Sequence, residues 1–405
     1  MRIVAIGDVG VLDGMIHIGD EAMLEEFVTQ LRARGAAITA ISANPDETAD
    51  RYDIEAIERI GWVDPHDRLA SAARRELVLR AARGDTSALP ADDPAHAVIG
   101  AIRQSDGVAI TGGGNLASTW PVHIQERSTI GAIAAILGVP LVVSGQTIGP
   151  SLSGEDVDLV RELLSSARRV GLREPASYAL CRQIGVPAHL LHTTLDDASF
   201  LGIDDPLPTG EPYCLVSLSG HLGEAPREAA LDALAALLDL VHAETGWEIA
   251  FLPHFGPLSG GDGELRGDDR IHAAVRERMT TGPGRRIPVT DSRTAASLAR
   301  AAQLVVTSRY HPAVFAASAG VPTIGIPVDD YTGVKLTGAL GNLGQSGILE
   351  LAGLIGDLST GRLADTVAGV LAEKDAIPAR TADLIRSARA ASAAWWDAIA
   401  ADFIR

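Results

Sequence analysis

Two apolar patterns alternate along the chain. Short apolar runs, the pattern of strands buried on both faces, alternate with longer stretches whose apolar positions recur every three or four residues, as on one face of a helix. The runs at 2–6, 37–42, 54–60, 107–111, 140–144, 170–172 and 188–191 predict strands, and the stretches at 21–34, 67–83, 95–104, 128–137 and 155–167 predict the helices between them. A segment rich in Pro and Asp, 204–212, reads as a linker. After it a second series begins, with strands predicted at 213–218, 248–252, 287–290, 304–307 and 321–326 and helices at 225–244, 292–302 and 313–319. A further strand is expected at 347–351, and a terminal helix over 381–404 carries Leu384, Ile385, Trp395, Trp396, Ile399 and Phe403.

Alternation of this kind, run through twice, predicts an α/β protein of two doubly wound Rossmann-like domains facing across a cleft. The expected division is 1–203 for the first domain, 204–378 for the second, and 379–405 for a helix that docks back on the first. At 405 residues, two cores are the natural expectation.

In open parallel sheets, ligands gather at the carboxyl ends of the strands. The most informative such edge runs from Leu304 to Lys335. The strand 304–307 is followed by Ser308-Arg309-Tyr310-His311-Pro312, where Pro312 suits the first position of a helix. The next strand is followed by a loop over 327–333 and then Lys335. Arg309, His311 and Lys335 therefore fall within two neighbouring turns, beside a helix amino end that favours anions. Only Lys335 and Lys374 are lysines in a chain that otherwise uses arginine. A lysine offers a compact, rotatable ammonium that arginine does not, although a chance surface position is an equal reading.

Three turns in the first half have similar character. Gly112-Gly113-Gly114-Asn115 lets a backbone approach a ligand closely, or serves a tight turn. Gln146 opens a small-residue turn that ends at Pro150. Arg173 stands at a strand end, where its fork can hold a carboxylate or phosphate, or an acid of the protein itself. His17, in the first loop, either meets a ligand or closes that loop. Asp20 is expected to cap the first helix. His254 borders a glycine-rich loop at 254–269, which reads as a mobile lid or an ordinary surface excursion; His221 ranks beside it.

Composition narrows the classes. A formal net charge of −18 argues against nucleic acid as a partner and requires a local basic pocket for any anionic substrate. Cys181 and Cys214 lack metal-ligand spacing, and the adjacent Asp196 and Asp197 point apart on most backbones, so no metal is expected. No nucleophile elbow, Walker sequence or dinucleotide fingerprint is present. The run 130–144 is divided by Gly138 and Pro140 and is short for a span, which predicts a cytoplasmic protein.

Gly19-Asp20-Glu21-Ala22, Gly112 to Leu116, Gly145 to Pro150, Ser308 to His311 and Ala319 to Gly325, taken together, resemble the polysaccharide pyruvyl transferase family. Arg173 to Ser177 is similar to that family's Arg-acid-x-x-Ser turn, with Glu174 where Asp is usual. The resemblance implies a GT-B-like fold and an enzyme that moves a pyruvyl group from phosphoenolpyruvate onto two hydroxyls of a sugar, giving a cyclic ketal and phosphate. It implies catalytic roles for Arg173, His311 and Lys335, with phosphoenolpyruvate as co-substrate and no cofactor. Gly113, Gly114, Asn115, Gln146, Ser308, Arg309, His254 and His17 are the candidate donor- and substrate-binding residues. The expected partner is a sugar or glycan acceptor; a lipid-linked one would bring the protein to the inner membrane face, and a homo-oligomer stays open. Two alternatives stand beside this reading: a GT-B glycosyltransferase using a nucleotide sugar, and a non-catalytic sugar-binding module.

Overall fold

The computed structural model describes residues 1–62, 67–259 and 263–404. The chain divides into two compact units. The first comprises residues 1–12, 23–198 and 390–405; the second comprises 13–22 and 199–389. The sheets of both units, apart from one short ribbon, are parallel, as the uninterrupted apolar runs require.

In the first unit eight strands form one sheet, in the order Glu55–Glu58, Ala37–Ser42, Arg2–Ile6, Gly107–Ile110, Leu141–Ile148, Arg169–Leu172 and Leu191–Thr193, with Gly113–Leu116 pairing on Leu141–Ile148. The strand order reverses between Arg2–Ile6 and Gly107–Ile110. That switch point directs the chain after Ile6 and after Ile110 into the place where such folds bind ligands. One face packs on helices Arg68–Ala82, Ala95–Gln104 and Pro121–Leu137 through Val78, Ile99, Ile124 and Ile133. The other packs on Ile18–Arg32, on Trp396 and Ile399 of the helix Ile377–Asp402, and on Phe403 just past its end. Gly107 is needed beneath that helix, because a Cβ there would enter the Phe403 ring.

The second unit has five strands in the order Arg285–Arg286, Glu248–Phe251, Tyr213–Ser217, Leu304–Thr307 and Thr323–Gly325. Its reversal lies between Tyr213–Ser217 and Leu304–Thr307. Helix Arg227–Thr245 buries Leu231, Leu234, Leu238 and Val241 in its core. A two-stranded antiparallel ribbon pairs Met15–His17 with Phe255–Pro257, so ten early residues belong to this unit.

Several boundaries differ from the sequence expectation. The first helix starts at Ile18, so Asp20 lies in its first turn instead of capping it. Helix Pro121–Leu137 starts seven residues before the expected 128, since Pro121 suits a first turn whose N–H groups are unpaired anyway. Residues 188–190 form a 3-10 turn, and the strand follows at Leu191–Thr193. At 287–290 only Val289 bridges, to Leu258, and the paired strand is Arg285–Arg286. At 347–351 only Ile348 bridges, to Gly325, before a helix starts at Leu351. The region 254–269 is partly anchored as the Phe255–Pro257 strand; its residues 260–262 lie outside the described residues.

Candidate active site

In the first unit the chain after Ile110 and the strand Leu141–Ile148 meet at a buried carboxyl. Asp197 Oδ2 accepts from the Gly112 N–H at 2.9 Å, and Oδ1 accepts from Ser144 Oγ at 2.7 Å. Ser144 Oγ in turn accepts from Trp395 Nε1 at 2.9 Å. Gly145 has φ +55°, and a Cβ there would collide with the Asp197 carboxyl, so glycine is required on both counts. Burial pushes the Asp197 carboxyl up to about 7, against the pull of its hydrogen bonds.

Gly113 to Leu116 is a strand, not the free turn its glycines suggested, and Gly113 stands opposite Gln146. Gln146 Nε2 donates to the Thr111 carbonyl. Its Oε1 and the Oδ1 of Asn115 have no hydrogen-bond partner among the described residues.

Arg173 is 1% exposed. Its Nε donates to Thr147 Oγ1 at 2.8 Å and to Glu174 Oε1 at 3.1 Å, and its Nη1 pairs with Asp196. Of the two sequence readings for this guanidinium, an ion pair with the protein's own acids is the one seen in the first unit. Glu174 also accepts from Ser177 Oγ at 2.9 Å, which explains the Arg-acid-x-x-Ser pattern as one buried knot.

Beyond the other strand of the switch point lies a cluster that sequence reasoning missed. Arg59 donates to Asp8 at 2.9 Å and grips Glu126, while Arg127 donates to His123 at 2.9 Å and to the Gly7 carbonyl. Desolvation, with Arg127 next, lowers His123 to about 4. These residues come from three distant segments, so no spacing announces them.

In the second unit the strand Leu304–Thr307 delivers Ser308 and Arg309, and the helix starts at Tyr310. Pro312 is thus the third helical residue, still inside the turn whose N–H groups are unpaired. Ser308 Oγ accepts from the Ser219 N–H at 2.8 Å and ties the two central strand ends together. Arg309 forks onto Asp268, with Nε to Oδ2 at 2.9 Å. Asp268, 1% exposed, also accepts from the N–H groups of His254 at 3.1 Å and Phe255 at 2.9 Å.

His254 is 4% exposed, with Nδ1 3.0 Å from Ser217 Oγ and no partner for Nε2 among the described residues. Burial lowers it to about 3, so the ring is neutral near pH 7. His272 is lowered by burial to about 4 and accepts the Leu218 N–H at Nε2, 2.9 Å away. The rings of His254 and His311 lie 6.3 and 5.9 Å from that of Phe315. The first turn of helix Ile18–Arg32 abuts this pair. Ile18 N–H donates to the His254 carbonyl at 2.9 Å, and Gly19 leaves room for His311.

Lys335 sits on the helix Asp330–Gly341 instead of at the end of a loop. Asp329 caps that helix through a reciprocal bond pair with Thr332, a local competition that the aspartate pair and glycine of 329–333 concealed. Lys335 Nζ lies 5.0 Å from the Tyr310 ring centroid and 4.7 Å from that of Tyr331. Tyr310 meets His311 edge-on at 5.0 Å, so one tyrosine ring neighbours both the ammonium and the imidazole. His17 stacks on Phe255 at 4.0 Å, with Nδ1 4.0 Å from Asp20. His221 bonds Asp329 at 2.7 Å.

Each unit thus collects its candidates at one sheet edge. The first holds Gly113, Gly114, Asn115, Gln146 and Arg173; the second holds His17, His254, Ser308, Arg309, His311 and Lys335. Among the described residues no group of three or more His, Cys, Asp or Glu could hold a metal ion, and no helix is long and apolar enough to cross a membrane.

Two parallel Rossmann-like sheets are also the fold of GT-B glycosyltransferases and epimerases. The UDP-GlcNAc 2-epimerase from Methanocaldococcus jannaschii superposes with a TM-score of 0.54 at 10% identity, over 92% of this chain and 99% of that one. The UDP-GlcNAc 2-epimerase from Neisseria meningitidis gives 0.53 at 8%, over 91% and 94%. The spinosyn rhamnosyltransferase SpnG gives 0.52 at 15%, over 98% and 100%. These likenesses establish the fold alone. Residues 17–330 match the polysaccharide pyruvyl transferase family, and the chain belongs to that enzyme family. The matched segment includes Arg173, His254 and His311 and stops short of Lys335. No curated protein matches the chain.

Proposed function

We propose that this protein transfers a pyruvyl group from phosphoenolpyruvate to two hydroxyls of a sugar in a glycan precursor, forming a cyclic ketal and releasing phosphate. The observation that carries the reading is family membership over 17–330, a segment that holds His311 at the strand end of the second unit. Phosphoenolpyruvate carries a phosphate and a carboxylate, so it needs fixed cations and a proton donor. His311 is assigned as the acid/base group and Lys335 as the ammonium that neutralises the donor. Arg173 is assigned a positioning role through Glu174 and Asp196, which already occupy its guanidinium.

In this scheme His311 protonates C3 of the enol, and C2 becomes electron-poor and takes the first sugar oxygen. Loss of phosphate makes C2 electron-poor again, and the second oxygen closes the ring. Of the two hydroxyl protons, one ends on C3 and the other leaves with phosphate. The test is phosphate release from phosphoenolpyruvate that requires both an added sugar and His311. Tight binding of a nucleotide sugar, with none of phosphoenolpyruvate, would replace this reading with a glycosyltransferase.

A further inference from the structure

Three segments at the carboxyl edge of the first unit's sheet set a donor and an acceptor side by side near an exposed indole. Asp8 follows the strand Arg2–Ile6, Arg59 follows Glu55–Glu58, and Trp120 directly precedes the helix Pro121–Leu137. His123 and Arg127 lie four residues apart on that helix, so one face carries both. Arg59 donates to Asp8 Oδ1 at 2.9 Å and also holds Glu126, and Arg127 donates to His123 Nδ1 at 2.9 Å. His123, lowered by burial to about 4, is neutral near pH 7. A guanidinium can only donate, so Nδ1 is the acceptor and the ring's one proton sits on Nε2. That Nε2 stands 3.5 Å from Asp8 Oδ2, long beside the about 2.7–2.9 Å of a direct charge-assisted bond. Among the described residues Oδ2 has no hydrogen-bond partner.

The pair is open to solvent. The Asp8 side chain is 31% exposed and that of His123 14%, whereas those of Glu126 and Arg127 are 1%. A hydroxyl both accepts and donates, so it can take the Nε2–H and give its own hydrogen to Oδ2. A carboxylate cannot donate and an ammonium cannot accept. The fixed charges balance, two guanidiniums against two carboxylates, which favours an uncharged ligand. Trp120 is 44% exposed, the one exposed tryptophan among the described residues, and its ring centroid lies 6.4 Å from that of His123. The face of an indole is electron-rich and attracts the C–H hydrogens of a pyranose ring. We infer that Trp120, Asp8 and His123 form a subsite for a neutral sugar ring, which stacks on the indole while one of its hydroxyls bridges His123 Nε2 and Asp8 Oδ2. That this sugar is the acceptor of the transfer rests on the proposed transferase reading. The match to a hydroxyl rests on the two side chains alone.

The experiment measures binding by the full chain, without turnover. Saturation-transfer NMR titrates methyl hexopyranosides of the gluco, galacto and manno series, which carry no aromatic group that could stack on its own account. Trp120→Ala should weaken the bound glycoside about three- to tenfold, and Trp120→Phe should bring it back to within about threefold of wild type. Asp8→Asn should weaken the parent glycoside about three- to tenfold, yet one monodeoxy analogue, the one lacking the bridging hydroxyl, should bind wild type and variant equally. A merely structural Asp8 would weaken every analogue alike, and that result overturns the proposal. Unchanged glycoside binding by folded Trp120→Ala overturns it too, as does failure of every glycoside to bind the wild type, which would mean that only water sits on the pair. If Trp120→Ala fails to fold by circular dichroism, the monodeoxy series on Asp8→Asn decides. If glycosides bind as expected but no phosphate is ever released from phosphoenolpyruvate, the subsite stands and the transferase reading falls. Sugar-dependent phosphate release whose KM for the sugar is untouched by Trp120→Ala has the reverse meaning.

Discussion

The imidazole of His311 occupies the volume in which a side chain at residue 19 would begin. A Cβ on Gly19 would overlap the ring, so the start of the first helix and the proposed acid/base group can be this close only with glycine there. Gly19→Ala should therefore displace His311. We expect a loss of about 1–3 kcal/mol of stability and a fall in sugar-dependent phosphate release of about tenfold or more. Thermal melting and a phosphate assay read the two effects separately, and Gly19→Ala with wild-type turnover would refute the coupling.

Acid should loosen the second unit. His254 and His272 titrate at about 3 and about 4 in the folded chain, against an ordinary 6.5. Unfolded imidazoles bind protons that the folded ones refuse, so their contribution is complete above about pH 6.5 and is lost as pH falls toward 4. By pH 5 the loss is about 2 kcal/mol for each ring. Hydrogen exchange in Tyr213–Ser217 and Glu248–Phe251 should quicken over that range, and flat protection between pH 7 and 5 would contradict it.

The first unit should respond with the opposite sign. The Asp197 carboxyl, pushed up to about 7 from an ordinary 3.8, binds a proton that the unfolded chain releases. Its contribution is complete below about pH 3.8 and fades as pH rises through 7. Asn at this position can still accept the Gly112 N–H and donate to Ser144 Oγ. Asp197→Asn should thus remove the alkaline weakening and leave the first unit more stable than wild type at pH 8. A stability profile from pH 5 to 8 unchanged by this substitution would rule out the titration.

Asp268 holds one side of the second unit's edge. It receives the Arg309 fork and two backbone N–H groups from a position 1% exposed. Asp268→Ala leaves Arg309 and both N–H groups without their acceptor, and the expected cost is about 3–5 kcal/mol. Denaturant unfolding measures it; a change under 1 kcal/mol would mean that the pair behaves as an exposed one.

Lys335 should act on the donor alone. Lys335→Ala is expected to raise the KM for phosphoenolpyruvate about tenfold or more while leaving that for the sugar within a few-fold. Steady-state kinetics with each substrate varied in turn gives the answer, and equal effects on both would remove Lys335 from the donor's side.

Much of this was legible in the sequence because strands buried on both faces read as plain apolar runs. Arg2–Ile6, Gly107–Ile110, Tyr213–Ser217 and Leu304–Thr307 lie where the runs placed them. The strand ends in turn placed His311 and Arg173, whereas Gln146, expected to open a turn, lies inside the strand Leu141–Ile148, which runs four residues beyond the apolar run that announced it. What remained hidden depends on partners far away in the chain. Three residues at Met15–His17 are too short to show a period, and they form a strand only because Phe255–Pro257 supplies the other half. Asp268 lay in a stretch with no apolar signal, and its role follows from Arg309, 41 residues later. Lys335 was placed at the end of a loop because aspartates and glycines dominate 329–333, whereas Asp329 and Thr332 use those polar groups to start a helix.

Residues 390–404 complete the core of the first unit, where Trp396 lies 6.0 Å from Phe27 and Phe403 covers Gly107. During synthesis that layer stays open while about two hundred residues follow the last strand of its sheet. A nascent chain stalled ahead of Trp396 should therefore present a greasy, half-covered sheet to chaperones and proteases, and emergence of residues 390–404 should abolish that vulnerability at once.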